Sequence, residues 1–531
     1  MGIVKLLDCT LRDGGYINDW AFGEKGIRAI IKKLEQTGIE MIEVGFLKGD
    51  SYDPEKSLFP DVRSIRNVLP SKERRIQYVA MLDMSAPIPL ERITPFDGSS
   101  VDGIRVIFKK NKISEAFIAC RHIKRAGYKV FVNFVSTDAY TDKEFIEGIE
   151  RFNALEPDGV TIVDTFGMIK RKHFKRLVAI ADNNLNPDAM LCYHAHNNLQ
   201  QAFGNAEAMV EMNMRRDIVI DACVFGMGRG AGNLCLELFA EYMNDNYGKS
   251  YRISPMLEIM DEYLSGFYKT KFWGYSLPLY LSATHGCHPN YAIYLAEKNT
   301  LTEKAFNELL RGISYDDRYV FSRDKAEQYY KQYMNSFVDD GEALQRLAEA
   351  VRDRTILLLA PGNSIREYRD RITGMIREDT LVICVNFFDE AYSPDYVFTS
   401  SIRRFQRVIG EARSEATKTK VIATSNIPDR GQADMVVNFS SFTGSGNEIF
   451  DNSGLMAIRL LECVGVREIL IAGMDGYREA EKAAYYESGF EPYHTVEMSE
   501  KNSLISEELN EIMKRVRLRF LTPTAYAVQE R

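Results

Sequence analysis

The 531-residue sequence contains no apolar run of the about 18 residues that a membrane span requires, so a transmembrane helix is not expected. Its start, MGIVKLLDCTLRDGG, turns polar after Leu7, too soon for the apolar core of a secretory signal. Leu6 stands where a myristoylation pattern needs a small hydroxyl residue. Positive charge is also lacking: 67 Lys+Arg against 75 Asp+Glu leave a net charge of −8. That argues against nonspecific nucleic-acid binding, which draws its affinity from displaced counterions. It leaves room for a local basic pocket. The eight cysteines include no CxxC pair, and Cys192, Cys223 and Cys384 lie inside apolar strand-like runs. Buried free thiols in a reducing, cytoplasmic setting are expected rather than a disulfide framework. No short repeat or low-complexity tract interrupts the chain.

What is present is alternation. Eight strand candidates punctuate the first 250 residues: Lys5–Cys9, Met41–Phe46, Ile76–Leu82, Gly103–Phe108, Lys129–Val135, Val160–Asp164, Met190–His196 and Ile218–Phe225. Helix-length segments separate most of them, with apolar residues at helical spacing as in Ile27, Ile30, Ile31 and Leu34. Eight such units predict an α/β fold, a closed (β/α)8 TIM barrel over 1–250. Residues 251–350 are rich in Tyr, Leu, Glu and Lys and read as a helical extension completing the active site. Strand candidates then resume at Ile356–Leu359, Leu381–Asn386, Tyr396–Thr399, Lys420–Thr424, Met435–Phe439 and Ile469–Ala472. They predict a second, open α/β domain of Rossmann-like kind over 355–531.

Only seven histidines occur, and two form His194-Ala195-His196-Asn197-Asn198 at the end of the seventh strand. Residues two apart on a strand share a face, so both imidazoles can point to the barrel mouth. Alone, the pair could equally be hydrogen-bonded surface histidines. A second signal, Asp8-Cys9-Thr10-Leu11-Arg12-Asp13-Gly14-Gly15, ends the first strand. Strands one and seven flank strand eight in an eight-stranded ring, so Asp13 can reach the same ion as His194 and His196. Taken in isolation, Arg12-Asp13 would be a salt bridge closing a loop. Third comes Gly226-Met227-Gly228-Arg229-Gly230-Ala231-Gly232-Asn233 after strand eight. Its glycines let backbone approach a ligand, and Asn233, read as opening the next helix, can offer a carbonyl oxygen. The spacing is wrong for a dinucleotide turn.

The combination resembles the DRE-TIM metallolyases. It rests on LRDGG, Ile42-Glu43-Val44-Gly45-Phe46, Val163-Asp164-Thr165, HAHNN and GMGRGAGN, in that order over roughly residues 1–300. The GAGN form looks closer to the 4-hydroxy-2-oxovalerate aldolases than to the coenzyme-A lyases, whose loop cysteine is absent here. The resemblance implies that Asp13, His194 and His196 bind a divalent metal, with Asn233 as a further ligand. It implies that Arg12 stabilises an enolate and that Glu43 holds Arg12. Mn or Mg suits such a site, and Zn is an alternative. There is one departure: Tyr16 stands where those aldolases carry a histidine base. A tyrosine needs a strongly depressed pKa to act as a base near neutrality. His285 and His288, in a stretch that can fold back over the mouth, are the replacements, unless they merely belong to a structural turn.

The expected activity is therefore a metal-dependent carbon–carbon lyase joining or splitting a 2-oxo acid and an aldehyde. A Claisen-type acyltransferase on the same barrel is the alternative, as is a noncatalytic barrel beside a working C-terminal domain. In that domain Ala360-Pro361-Gly362-Asn363-Ser364 could present backbone N–H groups to a phosphate. With Phe450-Asp451-Asn452-Ser453-Gly454 and Gly473-Met474-Asp475-Gly476-Tyr477 it faintly resembles nucleotide-sugar transferases. The overall layout looks like the aldolase-type proteins of bacterial surface-polysaccharide biosynthesis. The helical residues 250–350 are candidates for an interface between copies of the chain.

Overall fold

Side chains alternate faces along a strand, so a closed parallel ring must fill its own interior in layers. The computed structural model describes residues 2–70, 76–298, 300–413, 418–428, 430–444, 449–477 and 498–528. The chain divides into two units, Met1–Pro289 and Asn290–Arg531.

The first unit contains strands β1 (Val4–Asp8), β2 (Met41–Leu47), β3 (Gln77–Asp83), β4 (Gly103–Phe108), β5 (Lys129–Phe134), β6 (Gly159–Asp164), β7 (Met190–Ala195) and β8 (Ile218–Ala222). Each pairs in parallel with the next, and β1 pairs with both β2 and β8, closing the (β/α)8 barrel that the pattern predicts. Only β8 ends well before its expected limit. A turn at Val224–Gly226, with Phe225 at φ +58°, leaves the sheet there. Leu7, Met41, Val79, Phe131, Cys192 and Val219 make an apolar layer inside the ring. Gly159 leaves room for the Phe131 ring, which a Cβ there would meet at 2.7 Å. Two residues further along the strands the same inward face turns polar: Glu43, Arg105, Asn133, His194 and Asp221 are all buried. The helices outside pack an apolar stripe on the sheet. Helix Glu24–Thr37 buries Ile27, Ile30, Ile31 and Leu34 and ends at Gly38, φ +85°.

In the second unit β9 (Thr355–Leu359), β10 (Thr380–Val385), β11 (Tyr396–Thr399), β12 (Lys420–Thr424), β13 (Met435–Val437), β14 (Glu468–Ala472) and β15 (Arg517–Phe520) form one parallel sheet. Its order is β13-β12-β11-β10-β9-β14-β15, an open α/β sheet that reverses direction beside β9. The seventh strand has no counterpart in the sequence pattern. It is four residues long at an edge, and Arg517 and Arg519 are exposed around buried Leu518. Apolar β9 and β10, by contrast, are buried on both faces. Among the described residues of 250–350 every regular element is helical. No described helix is long and apolar enough to cross a membrane. All eight cysteines are free, six of them buried.

Strand β2 shifts register between Glu43 and Phe46, and Gly45 in the bulge sits at φ +148°. A Cβ there would meet the Ser57 carbonyl oxygen at 2.1 Å. Gly45→Ala is therefore expected to lower the thermal midpoint of barrel unfolding by about 5 °C or more, a loss of roughly 2–3 kcal/mol. Differential scanning calorimetry measures this, and an unchanged midpoint would contradict the assigned bulge.

Candidate metal centre and barrel mouth

Beyond β1 the chain makes one helical turn, Thr10–Asp13, which carries Asp13 over the ring. The Thr10 hydroxyl fixes that turn, donating to Asp8 at 2.7 Å and accepting from the Val224 N–H at 2.9 Å. His194 lies in β7 and His196 just after it, their rings 5.4 Å apart. Asp13, His194 and His196 bring one ligand-type atom each to within 4.8 Å of one another, all buried. Asn233 does not open a helix: it lies three residues before helix Leu236–Tyr247, bridged through its backbone to His196. Its Nδ2 donates to Asp13 at 2.5 Å and to the Met227 carbonyl at 3.1 Å. Its Oδ1 is buried with no hydrogen-bond partner, as is His196 Nδ1. Gly228 completes the cradle, because a Cβ there would lie 2.9 Å from Asp13 and 2.1 Å from Asn233.

Around these groups runs a buried ionic circuit. Arg12 donates from Nη1 to Asp13 at 2.5 Å and from Nε to Glu43 at 2.6 Å. The other Glu43 oxygen accepts from Arg105 at 3.2 Å, and Arg105 reaches across the ring to Asp221 at 2.5 Å. Asp221 lies 3.2 Å from His194 Nδ1, which leaves His194 Nε2 for the cluster. Arg105 and Asp221 are the residues that motif reading misses. A charged side chain inside an otherwise apolar strand was the available signal.

Charge balance explains the protonation pattern. Three carboxylates face two guanidiniums, and neither can lose its charge. Burial works against ionised Asp13, but Arg12 and the two histidines hold its carboxyl well below the usual range. Burial also works against a charged His194, yet the Asp221 carboxylate and Cys9 outweigh it and lift the imidazole to about 9. A proton on His194 thus supplies the missing positive charge. His196 goes the other way, down to about 4, pushed by burial and by the charges of His194, Arg229 and Arg12 against the pull of Asp13. An ionised carboxylate, a neutral imidazole with an unused nitrogen and an unused amide oxygen fit a divalent cation.

The mouth itself is aromatic and rich in donors. Tyr16 packs edge-on against Trp20 and Phe46, at 4.9 and 6.3 Å between ring centroids. The Trp20 indole donates to the Arg12 carbonyl at 2.8 Å, tying this wall to the circuit. Burial and the nearby Asp13 raise the Tyr16 phenol. His288 stacks edge-on with Phe166 at 5.2 Å, and its Nε2 is 3.0 Å from the Arg229 guanidinium. Burial, Arg229 and Lys109 press the imidazole down to about 3. His285 terminates helix Leu277–Thr284.

In the second unit the turns that resemble phosphate sites make internal bonds. The Ser364 N–H donates to Asp475 at 2.8 Å, Gly362 N–H to the Gly473 carbonyl at 2.9 Å, and Leu455 N–H to the Asn452 side chain at 3.1 Å.

Residues 3–257 match the HMGL-like family model. The chain is 29% identical over 270 residues to the 4-hydroxy-2-oxovalerate aldolase of Roseiflexus castenholzii, covering 49% of this chain and 75% of that protein. It is also 29% identical over 270 residues to the enzyme of that name from Thermomicrobium roseum, covering 48% and 69%. Among solved structures, the HMG-CoA lyase of Brucella melitensis is 16% identical, with a TM-score of 0.40, over 51% of this chain and 99% of that one.

Filling the cluster with Mn²⁺ must displace the proton that His194 holds up to about pH 9, whereas His196 is already neutral above about 4. Between pH 6 and 8 the apparent affinity is expected to rise about tenfold per pH unit, with about one proton released per ion. Calorimetry of the metal-free protein in buffers of different ionisation enthalpy reads both. Uptake without proton release would mean that His194 does not enter the site in its neutral form.

Proposed function

We propose, from an N-terminal unit whose residues 3–257 form an HMGL-like domain in a DRE-TIM metallolyase barrel, that this chain is a divalent-metal-dependent oxo-acid lyase. In this reading it joins or splits a 2-oxo acid and an aldehyde through an enolate. The observation that carries it is the buried convergence of Asp13, His194 and His196 beside a guanidinium already fixed by two carboxylates.

Asp13, His194 and His196 would hold the cation, and Asn233 would contribute its unpartnered oxygen. Two imidazole nitrogens and two oxygens would suit Mn or Mg, with Zn as an alternative. When bound, the ion supplies Lewis acidity to the 2-oxo group. Arg12 provides the second positive charge for the enolate oxygen. Because Glu43 and Asp13 hold it at 2.6 and 2.5 Å, it needs no reorganisation as that charge develops. In the joining direction a methyl proton of the oxo acid passes to solvent water, the resulting enolate carbon attacks the aldehyde carbonyl, and the new alkoxide takes a proton. Tyr16 is suited to give it, because a phenol with a raised pKa is neutral near pH 7 and donates rather than accepts. The splitting direction starts from the Tyr16 phenolate, which takes the hydroxyl proton as the bond breaks; the raised pKa keeps that form scarce near pH 7 and so favours joining. Glu43, Arg105 and Asp221 position Arg12 and His194 without touching substrate. The second unit, an open parallel sheet, is read as holding a nucleotide-linked partner at the strand ends beside β9, as in a role in surface-polysaccharide synthesis, rather than on the Gly362 and Asn452 turns, whose N–H groups are bonded internally.

Mn-loaded protein incubated with pyruvate in heavy water should exchange the methyl protons, followed by NMR without any aldehyde. Asp13→Asn is expected to abolish exchange, and Arg12→Lys to slow it by about 100-fold, since lysine cannot bridge two carboxylates in a fork. Asp221→Asn should weaken Mn²⁺ binding by about tenfold, read by titration. Absence of exchange with Mn²⁺ bound would overturn pyruvate chemistry at this site.

A further inference from the structure

We propose that Trp20 is a positioning residue for enolate formation: its indole N–H holds the helical turn that carries Arg12 and Asp13, so that both keep their places as charge develops. This rests on the aldolase reading above and deepens it, by assigning a residue outside the motifs that carry the family resemblance.

The last carbonyls of a helix have no partner within it, and a single turn has little else. In Thr10–Asp13 the two carbonyls before Asp13 are taken by side chains from outside the turn. Ser57 donates its hydroxyl to the Leu11 carbonyl at 2.7 Å, and the Trp20 indole donates to the Arg12 carbonyl at 2.8 Å. Both donors are buried, and they are tied to each other, because the Ser57 N–H donates to the Trp20 carbonyl at 3.1 Å. The Arg12 carbonyl belongs to the planar peptide that joins Arg12 to Asp13. A bond to it fixes the plane from which the guanidinium and the carboxylate both spring. At the other end of the arginine, Phe46 lies 5.8 Å from the guanidinium carbon, so one aromatic wall supports both backbone and head.

The indole is aimed by a strained backbone. Asp19 and Trp20 are consecutive left-handed residues, φ +53° and +58°, a conformation that bulky side chains rarely take. Such a pair persists only where its surroundings over-determine it. Here the Trp20 N–H donates to the Gly15 carbonyl at 2.9 Å, and the Trp20 carbonyl accepts from Phe22 at 3.0 Å as well as from Ser57. The ring has a fitted seat: a Cβ on Gly15 would lie 2.0 Å from its Cδ1 and 2.3 Å from its Nε1. Tyr16 and Phe46 close on it edge-on, with ring centres at 4.9 and 5.7 Å. Packing alone would need neither the left-handed pair nor an N–H directed at the turn that carries Arg12. A tryptophan that braces that turn needs both.

The chain has two tryptophans, and each donates its indole N–H to a backbone carbonyl, Trp273 to that of Phe225 at 2.9 Å. Trp273 is therefore the matched control. Trp20→3-benzothienylalanine keeps the shape of the ring and puts sulfur in place of the N–H, whereas Trp20→5-fluorotryptophan keeps the N–H. The full chain, saturated with Mn²⁺, is given pyruvate in heavy water. In the benzothienyl variant kcat for methyl exchange is expected to fall about tenfold with KM within about twofold of the unaltered protein, because only stabilisation of the enolate is lost. Its Kd for Mn²⁺ should weaken by about threefold or more, since Asp13 shares the braced peptide. The fluoro variant, and the benzothienyl change made at Trp273, should leave both quantities within about twofold. Unchanged exchange in the Trp20 benzothienyl variant, a loss in KM alone, or an equal loss at Trp273 would overturn the proposal. So would a loss confined to Trp20→Phe, which opens a gap beside Gly15 and would show packing alone. No exchange in the unaltered protein removes the aldolase reading and leaves the Mn²⁺ titration to decide Trp20. A Kd at least threefold weaker than in the Trp273 variant then supports its hold on the turn, and an equal Kd rejects it.

Discussion

A charge placed alone inside a barrel would cost several kcal/mol, and this barrel holds several. They are tolerated because they form one connected circuit, Asp13–Arg12–Glu43–Arg105–Asp221–His194. Its members come from the turn after β1 and from β2, β4, β7 and β8, so the polar layer is also a set of cross-braces between elements far apart in sequence. The circuit is one positive charge short, and this shortage organises the rest. A proton on His194 meets it, and a divalent cation held by Asp13, His194 and His196 would meet it from the other side of the same imidazole. Metal affinity, ligand orientation and the stability of the polar layer are thus one electrostatic problem.

The apolar layer beneath and the aromatic wall above set the dielectric in which that problem is posed. Leu7, Met41, Val79 and Phe131 seal the barrel floor, and Trp20, Phe46 and Met81 enclose the rim. Interactions among the charges are strengthened by this exclusion of water. Near that wall the Tyr16 phenol is raised and the His288 imidazole lowered, so both are neutral near pH 7. His288 Nε2 accepts from Arg229, because a guanidinium can only donate.

Much of the barrel was legible in the sequence. The period-two strands and period-3.6 helices announced eight βα units, and His194-Ala195-His196 announced two imidazoles on one face. Asp13 could be assigned to the same end because strand order in a closed ring is fixed. Arg105 and Asp221 were not legible, because a charged residue in a buried strand gains meaning only from what stands across the ring. Edge strand β15 escaped notice for a related reason: with one face covered and two arginines in four residues, it lacks the continuous apolar run that marks its neighbours.

By itself the sequence determined the kind of fold and which side chains, Asp13, His194 and His196, can meet at one end of it, since periodicity and residue spacing are local properties that backbone geometry converts directly into faces and ends. Tertiary structure alone decided which charges meet, which nitrogen of His194 and His288 is engaged, and which glycine turns of the second unit satisfy their own N–H groups. Those outcomes depend on distances between residues up to some 220 positions apart, such as Asp13 and Asn233. Burial then turns each such distance into a protonation state, because in a low dielectric the nearest partner outweighs the solvent.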